Sequence, residues 1–369
     1  MRRQKLLFLA VPLFSFLLAD FVAGRIFTYL DTRRMHEIQE IQAEERAVRE
    51  ESPIYHHGLK PSARGRALWG PQRYELVTNS LGFKDATTRD VSLASNSHRV
   101  LIIGDSFAEG LGIDYERTFA GLVDAELRGR HVEILNAAVL SYSPIIYLRK
   151  VQYLLEDVGL EFDELVVFLD ISDIQDETLY YFDENSNVKK VEEERTDVSK
   201  TLRARAKRLL KENSILARTL RELRNVVFSD HGAPVQRSIT LHGWRSRWTV
   251  DDEVFEHYGR RGLENADRNL TRLRELLRVR GIPMTLVVYP WPRQIQHRDL
   301  DSRQVRYWKD WSERHGVTFQ NHFPAFIDER PFEEVIRRYF ISGDIHWNDE
   351  GHRLIAERFL AEWQPAIAP

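Results

Sequence analysis

The chain predicts a doubly wound α/β fold, a parallel sheet covered by helices on both faces, on three observations. Val100-Leu101-Ile102-Ile103 is a run of four apolar residues, the pattern of a strand buried on both faces, and it ends at Gly104-Asp105-Ser106, a sharp turn. From residue 98 onward strand-like and helix-like segments alternate. With 43% hydrophobic and 11% aromatic residues in 369, there is apolar surface enough for one sizeable core.

The N-terminal elements come first. Arg2, Arg3 and Lys5 precede an apolar run that continues, interrupted by Asp20 and Arg25, to Leu30. Residues 1–30 therefore read as a signal anchor: Leu6 to Leu30 is long enough to cross a bilayer about 30 Å thick, with the basic end in the cytoplasm. Val22-Ala23-Gly24 leaves a cleaved signal sequence as the second reading. The domain beyond is then expected outside the cytoplasm, in the periplasm of a Gram-negative cell. Residues 31–52, rich in Glu, Gln and Arg with a thin apolar stripe (Met35, Ile38, Ile41, Val48), read as an exposed helical stalk. Residues 31–95 as a whole form a stalk and N-terminal extension, and a chain starting near residue 53 is expected to fold.

The main domain, 96–369, is expected to open with a strand over Arg99 to Gly104. A helix from Thr118 to Gly129 and a strand from Val132 to Asn136 follow. Ser143 to Val158 reads as a helix with Pro144 in its first turn, and Leu165 to Ile171 as the third strand. A helix from Leu263 to Arg280 feeds a fourth strand, Met284 to Tyr289, and Val317 to Asn321 suits a fifth. Residues 183–260 interrupt the alternation as a helical insertion. Within it Leu202, Leu209, Leu216 and Leu223 recur every seven residues beside Arg203, Arg205, Lys207, Arg208 and Lys211, the pattern of an amphipathic helix packed on the domain edge, with a lid, a partner helix or contact with anionic lipid or polymer as the alternatives.

Ligands of such sheets bind beyond the carboxyl ends of the strands, where Ser106, Ser141, Ser172 and Trp291 are expected to emerge. A serine hydroxyl is a weak nucleophile at neutral pH and needs a base in hydrogen-bond reach. Asp344-Ile345-His346-Trp347-Asn348 supplies one: His346 as base, with Asp344 to fix its tautomer and stabilise the imidazolium. His352 falls inside the helix that Asn348 caps and reads as structural. Asp105 braces the turn, and His56 and His57 read as surface residues of the extension. Ser106, Asp344 and His346 thus form the expected catalytic set of a serine hydrolase or acyltransferase.

Gly104-Asp105-Ser106 and Asp344-Ile345-His346-Trp347-Asn348 resemble the opening and closing motifs of the SGNH (GDSL-type) hydrolase family, of the membrane-anchored bacterial type, over roughly residues 96 to 364. That resemblance implies a flavodoxin-like three-layer α/β/α parallel sheet. Asn136 to Pro144 resembles the second family block, with Ser141 where a glycine is usual. Leu169 to Asp173 resembles the third, with Ser172 where an asparagine is usual. The implied oxyanion hole is Ser106, Ser141 and Ser172. One residue separates Asp344 from His346 where two are more usual, a short form seen in polysaccharide acetyltransferase relatives. Thr78 to Phe83 is similar to a segment that precedes the serine motif in many membrane-anchored members, and it is expected to pack on the main domain.

Asp170, Asp173, Asp176 and Glu177 make an acidic strand end beside the expected site, some to cap loop amides and others to repel anionic substrates or bind sugar hydroxyls, with Asp173 the candidate; Trp291 suits either stacking on a sugar face or packing in a rigid loop. No metal and no cofactor are expected. The net charge of −3 and the interleaving of basic with acidic residues exclude a nucleic-acid-binding protein, and the absence of cysteine excludes disulfides and thiolate metal sites. The expected function is an extracytoplasmic esterase that removes O-acyl groups, foremost acetyl, from a cell-envelope or exported polysaccharide through an acyl-serine. An O-acetyltransferase fed by a membrane acyl-donor protein and a non-catalytic carbohydrate-binding or assembly module remain the alternatives.

Overall fold

The computed structural model describes residues 32–191 and 232–363, together with residues 22, 25, 26 and 29. The apolar run from Leu6 to Leu30 and the heptad leucines at 202–223 lie outside this set, apart from those four positions. Among the described residues no helix is long and apolar enough to cross a membrane. The chain divides into two compact units: residues 1–41 with 192–233, and residues 42–191 with 234–369. Of the first, the described part is chiefly helix from residue 32 onward, with Met35 exposed and Ile41 buried.

The second unit is built on a five-stranded parallel sheet. Before it come two antiparallel hairpins, β1 (Arg49–Ser52) with β2 (His56–Leu59) and β3 (Arg64–Trp69) with β4 (Gln72–Val77). The sheet comprises β5 (His98–Gly104), β6 (Val132–Asn136), β7 (Glu164–Leu169), β10 (Met284–Val288) and β11 (Thr318–Asn321); the small hairpin β8 (Tyr180–Phe182) with β9 (Val188–Lys190) intervenes in the chain. Its spatial order is β11-β10-β7-β5-β6, all neighbours parallel. Counted within the sheet this is 2-1-3-4-5, the flavodoxin-like order, so the expected fold is the one observed. Val100 to Ile103 are fully buried because helices cover both faces.

The order reverses between β5 and β7, and the crevice at that switch point is where a doubly wound sheet holds its ligand. Two short helices open there, α1 (Ser106–Glu109) after β5 and α4 (Asp173–Asp176) after β7. The flanking layers contain α2 (Phe119–Leu127), capped by Thr118, and α3 (Pro144–Tyr153), with Pro144 at its first turn. They also contain α6 (Arg260–Arg278), α7 (Arg303–His315) and α8 (Asp349–Glu362). In α6, Leu263, Ala266, Leu270, Leu273 and Leu277 are buried, the period of a helix laid on a sheet.

The N-terminal extension is more than a stalk. Val48, Leu59, Leu76 and Phe83 belong to the same hydrophobic core as the sheet strands. The Arg49 guanidinium enters the domain to meet Glu109, at 2.8 and 3.2 Å. A chain starting at residue 53 would lack that partner for the buried Glu109 carboxylate. The Thr78–Phe83 segment forms a tight turn: Asn79 Oδ1 accepts from the N–H groups of Leu81 and Phe83, and Gly82 takes φ +70°. A Cβ on Gly82 would lie 2.2 Å from the Leu59 carbonyl oxygen, so only glycine fits. The turn delivers Lys84 to a bridge with Asn136 at the sheet edge, where its ammonium donates to the carbonyls of Gly110 (2.8 Å) and Ile113 (2.7 Å).

Candidate active site

Ser106 opens α1 at the carboxyl end of β5. Asp105 caps that helix by accepting from Phe107 N–H at 2.9 Å, which turns the chain sharply and lifts the serine out of the sheet. From the other end of the chain, the loop before α8 brings His346 Nε2 to 2.9 Å from Ser106 Oγ. His346 Nδ1 donates to Asp344 Oδ1 at 2.6 Å. Because a carboxylate accepts, Nδ1 carries the proton and Nε2 is left free to take one from the serine. Burial alone would raise the Asp344 pKa, but the bonds from His346 and its charge outweigh it, with a lesser contribution from Trp69, and hold the carboxyl at about 2. The Ser106 hydroxyl has a second acceptor, Asp105 Oδ2 at 3.2 Å, but the shorter contact is to the imidazole.

The surroundings of the imidazole are apolar. Phe107 lies against His346 with ring centroids 4.7 Å apart, and Trp69, at the tip of the β3–β4 hairpin, meets it edge-on at 4.9 Å. His346 itself is only 4% exposed. Nothing in the sequence marked Trp69, because its contact with His346 spans most of the chain. His352 is buried, accepts from Phe119 N–H through Nδ1 and is pushed down to about 3 by burial, with no part in the serine–histidine contact.

Several expected site residues stand elsewhere. Ser172 is buried and gives both its backbone N–H (2.7 Å) and its hydroxyl proton (2.6 Å) to Asp170 Oδ1. A hydroxyl has one proton to give, so Ser172 has no donor left for an oxyanion. Asp173 is fully buried and accepts from the Tyr147 hydroxyl (2.7 Å) and Asp170 N–H (3.0 Å), which removes it from contact with sugar hydroxyls. Trp291 is 2% exposed, with its indole N–H on Asp170 Oδ2 at 2.6 Å; its face is packed and no platform for a sugar. Ser141, half-buried, adopts φ +60°, the left-handed backbone in which glycine is favoured, and its N–H has no hydrogen-bond partner among the described residues. The Ser106 N–H, at the start of α1, is likewise unengaged.

Asp105, Asp170 and Asp173 form the one carboxylate group, among the described residues, that could hold a cation, each offering an oxygen within 4.8 Å of the others. Protein donors already reach all three: Phe107 N–H and the Tyr289 hydroxyl on Asp105, Ser172 and Trp291 on Asp170, Tyr147 on Asp173. Burial, then repulsion by the neighbouring carboxylates, pushes Asp105 and Asp173 well above the usual carboxylate range. Arg245, on a short helix α5 (Gly243–Ser246) of the insertion, is paired with Asp176. Burial would lower its pKa, but the charges of Asp176, Asp170, Asp105 and Asp173 raise it. His56 and His57 are not plain surface residues either: His57 Nε2 donates to the Leu140 carbonyl at 2.7 Å.

No protein-family model matches this chain, and no curated protein matches it in sequence. Among solved structures it is similar to TesA, 12% identical, with 73% of this chain and 100% of that one covered and a TM-score of 0.41. A lipolytic protein of the G-D-S-L family from Veillonella parvula is 14% identical over 72% of this chain and 97% of its own, at TM-score 0.38. A catalytic mutant of Axe2, an acetylxylan esterase from Geobacillus stearothermophilus, is 12% identical over 75% and 100%, at TM-score 0.40. Likenesses at this level decide nothing about the activity of this chain, which is read from its own geometry.

Proposed function

We propose that this protein is a serine hydrolase of the SGNH kind that cleaves carboxylic esters through an acyl-serine. The single observation that carries the reading is the relay Ser106 Oγ, His346 Nε2, His346 Nδ1, Asp344 Oδ1, with links of 2.9 and 2.6 Å at the switch point of the sheet. In the first half-reaction Ser106 Oγ attacks the ester carbonyl while its proton passes to His346 Nε2. The tetrahedral oxyanion collapses, the ester C–O bond breaks, and His346 returns the proton to the departing alcohol oxygen. In the second half-reaction water, deprotonated by the same imidazole, adds to the acyl carbon; the acyl C–Oγ bond then breaks, His346 returns the proton to Ser106 Oγ, and the acid leaves. Asp344 stays ionised throughout and stabilises the imidazolium. The oxyanion donors are the free N–H groups of Ser106 and Ser141.

The finer reading is an O-acetyl ester of a cell-envelope or exported polysaccharide, acted on outside the cytoplasm. The basic and then apolar N-terminal sequence and the short Asp344-x-His346 spacing support it. The experiment is labelling with a fluorophosphonate, which phosphonylates only an activated serine, followed by turnover of p-nitrophenyl acetate and acetate release from acetylated xylan and bacterial exopolysaccharide. Labelling of Ser106, lost in Ser106→Ala and His346→Ala, is the expected result, and the double variant should lose no more than either single one. A folded Ser106→Ala protein with full turnover would sink the mechanism; acetate release from none of the glycans, with the small ester still cleaved, would sink the polysaccharide reading alone.

A further inference from the structure

The loop that carries Ser141 is pinned by two residues outside the serine–histidine–aspartate relay. Leu140 N–H donates to Glu109 Oε2 at 2.7 Å, and Glu109 lies on α1 three residues after Ser106, fixed by Arg49 of β1. The Leu140 carbonyl accepts from His57 Nε2 at 2.7 Å. That carbonyl and the Ser141 N–H are the two ends of one peptide unit. The unit is trans, like every described peptide bond here, so C=O and N–H point in opposite directions across one plane. Whatever holds the carbonyl therefore aims the N–H.

His57 is well fixed to do this. A carbonyl only accepts, so His57 Nε2 carries the ring proton and Nδ1 accepts from His56 Nδ1–H at 2.7 Å. The His57 ring packs edge-on against Tyr142 at 4.9 Å, and the Tyr142 hydroxyl donates to the His57 carbonyl at 2.7 Å. The Lys150 ammonium donates in turn to that hydroxyl at 3.1 Å. A hydrogen bond accepted by the carbonyl also polarises the peptide and strengthens its N–H as a donor. The cost of the arrangement is visible at Ser141, whose φ of +60° is a conformation that a serine holds only when its surroundings impose it.

We propose that His57, contributed by the N-terminal extension, is a positioning residue that aims the Ser141 N–H at the oxyanion formed on Ser106. The extension is then part of the catalytic device and not merely its support. This rests on the esterase reading above, and the experiment separates the two.

The test is steady-state hydrolysis of p-nitrophenyl acetate and of its thionoester analogue by the full chain, comparing wild type, His57→Phe, His57→Gln and the Ser106→Ala control. Phenylalanine keeps a ring against Tyr142 but has no N–H. It should lower kcat at least about tenfold, up to the roughly 10²–10³-fold that loss of one oxyanion donor costs, with KM within about twofold. The preference for oxygen over sulfur at the reacting carbonyl should narrow with it, since sulfur uses an oxyanion hole poorly. Glutamine, whose amide N–H can reach the Leu140 carbonyl, should recover most of kcat. If His57→Phe does not fold, His57→Asn, with a shorter amide, gives the same reading: lost kcat with retained KM supports the proposal and wild-type kcat overturns it. Wild-type kcat and oxygen preference in a folded His57→Phe overturn it likewise. Turnover surviving in Ser106→Ala would instead overturn the esterase reading beneath.

Discussion

Ser172→Ala separates a structural hydroxyl from a catalytic one. In the structure the Ser172 side chain does one thing, donating to Asp170 Oδ1 at 2.6 Å inside the protein, where Asp170 is fully buried. Alanine removes one of three donors on that carboxyl; the Ser172 N–H at 2.7 Å and the Trp291 indole N–H at 2.6 Å remain. Loss of a buried hydrogen bond of this kind costs about 1–3 kcal/mol. At about 2 °C per kcal/mol for a domain of this size, the melting temperature should fall by roughly 2–6 °C. Turnover should stay within about threefold of wild type, because no donor is withdrawn from the oxyanion. If Ser172 were instead the missing donor, kcat would fall about 10²–10³-fold. Differential scanning fluorimetry and p-nitrophenyl acetate kinetics on the same preparation read both quantities. A hundredfold loss of kcat with an unchanged melting temperature would refute the assignment. Ser172→Asn, which the resemblance alone would favour as a repair, should bring no gain in rate and should cost about 1–3 kcal/mol by overpacking a site only 2% exposed.

Two further outcomes concern Asp344 and the Arg49–Glu109 pair. The Asp344 carboxyl, held at about 2 against an ordinary 3.8, contributes stability that is fully present above about pH 4 and is lost as pH falls through 2. The stability gap between wild type and Asp344→Asn, measured by urea unfolding, should therefore shrink by about 2 kcal/mol between pH 5 and pH 2, and a constant gap would count against the ion pair. Deleting residues 1–52 leaves Glu109 buried without Arg49 and should cost about 3–5 kcal/mol relative to a chain beginning at residue 42; equal denaturation midpoints would show that the pair is dispensable.

The sheet was legible because its strands are continuous apolar runs and its helices carry a 3.6-residue stripe, signals that survive without tertiary context. All five strands lie within a residue or two of their expected bounds, and the observed helix Arg260–Arg278 matches an expected Leu263 to Arg280. The pairing of Ser106 with His346 was legible because each sits in a compact motif. The acidic end of β7 was not. Its residues look like a polar, solvent-facing set, and only packing reveals that Asp170 and Asp173 are buried and consumed by Ser172, Trp291 and Tyr147. Trp291 reads two ways from sequence, as a stacking platform or as a packed indole in a rigid loop, and its N–H on a buried carboxyl decides for the second. Glu109 offered a signal that went unused. A glutamate three residues after the serine, in a turn that must be buried, requires a cation, and Arg49 lies sixty residues earlier in a segment with no strong pattern.

The short closing motif is explained by the same local geometry. With one residue between them, Asp344 Oδ1 accepts both from His346 N–H at 3.0 Å and from His346 Nδ1 at 2.6 Å. The carboxylate is therefore locked by the backbone of the residue whose ring it orients, in a ring of atoms that closes within three residues. Two bonds to one oxygen also explain why the charged form is favoured strongly enough to overcome burial. In this chain the shorter spacing thus supplies the orienting acid with its own support, and the departure from the more usual spacing is compatible with a working relay.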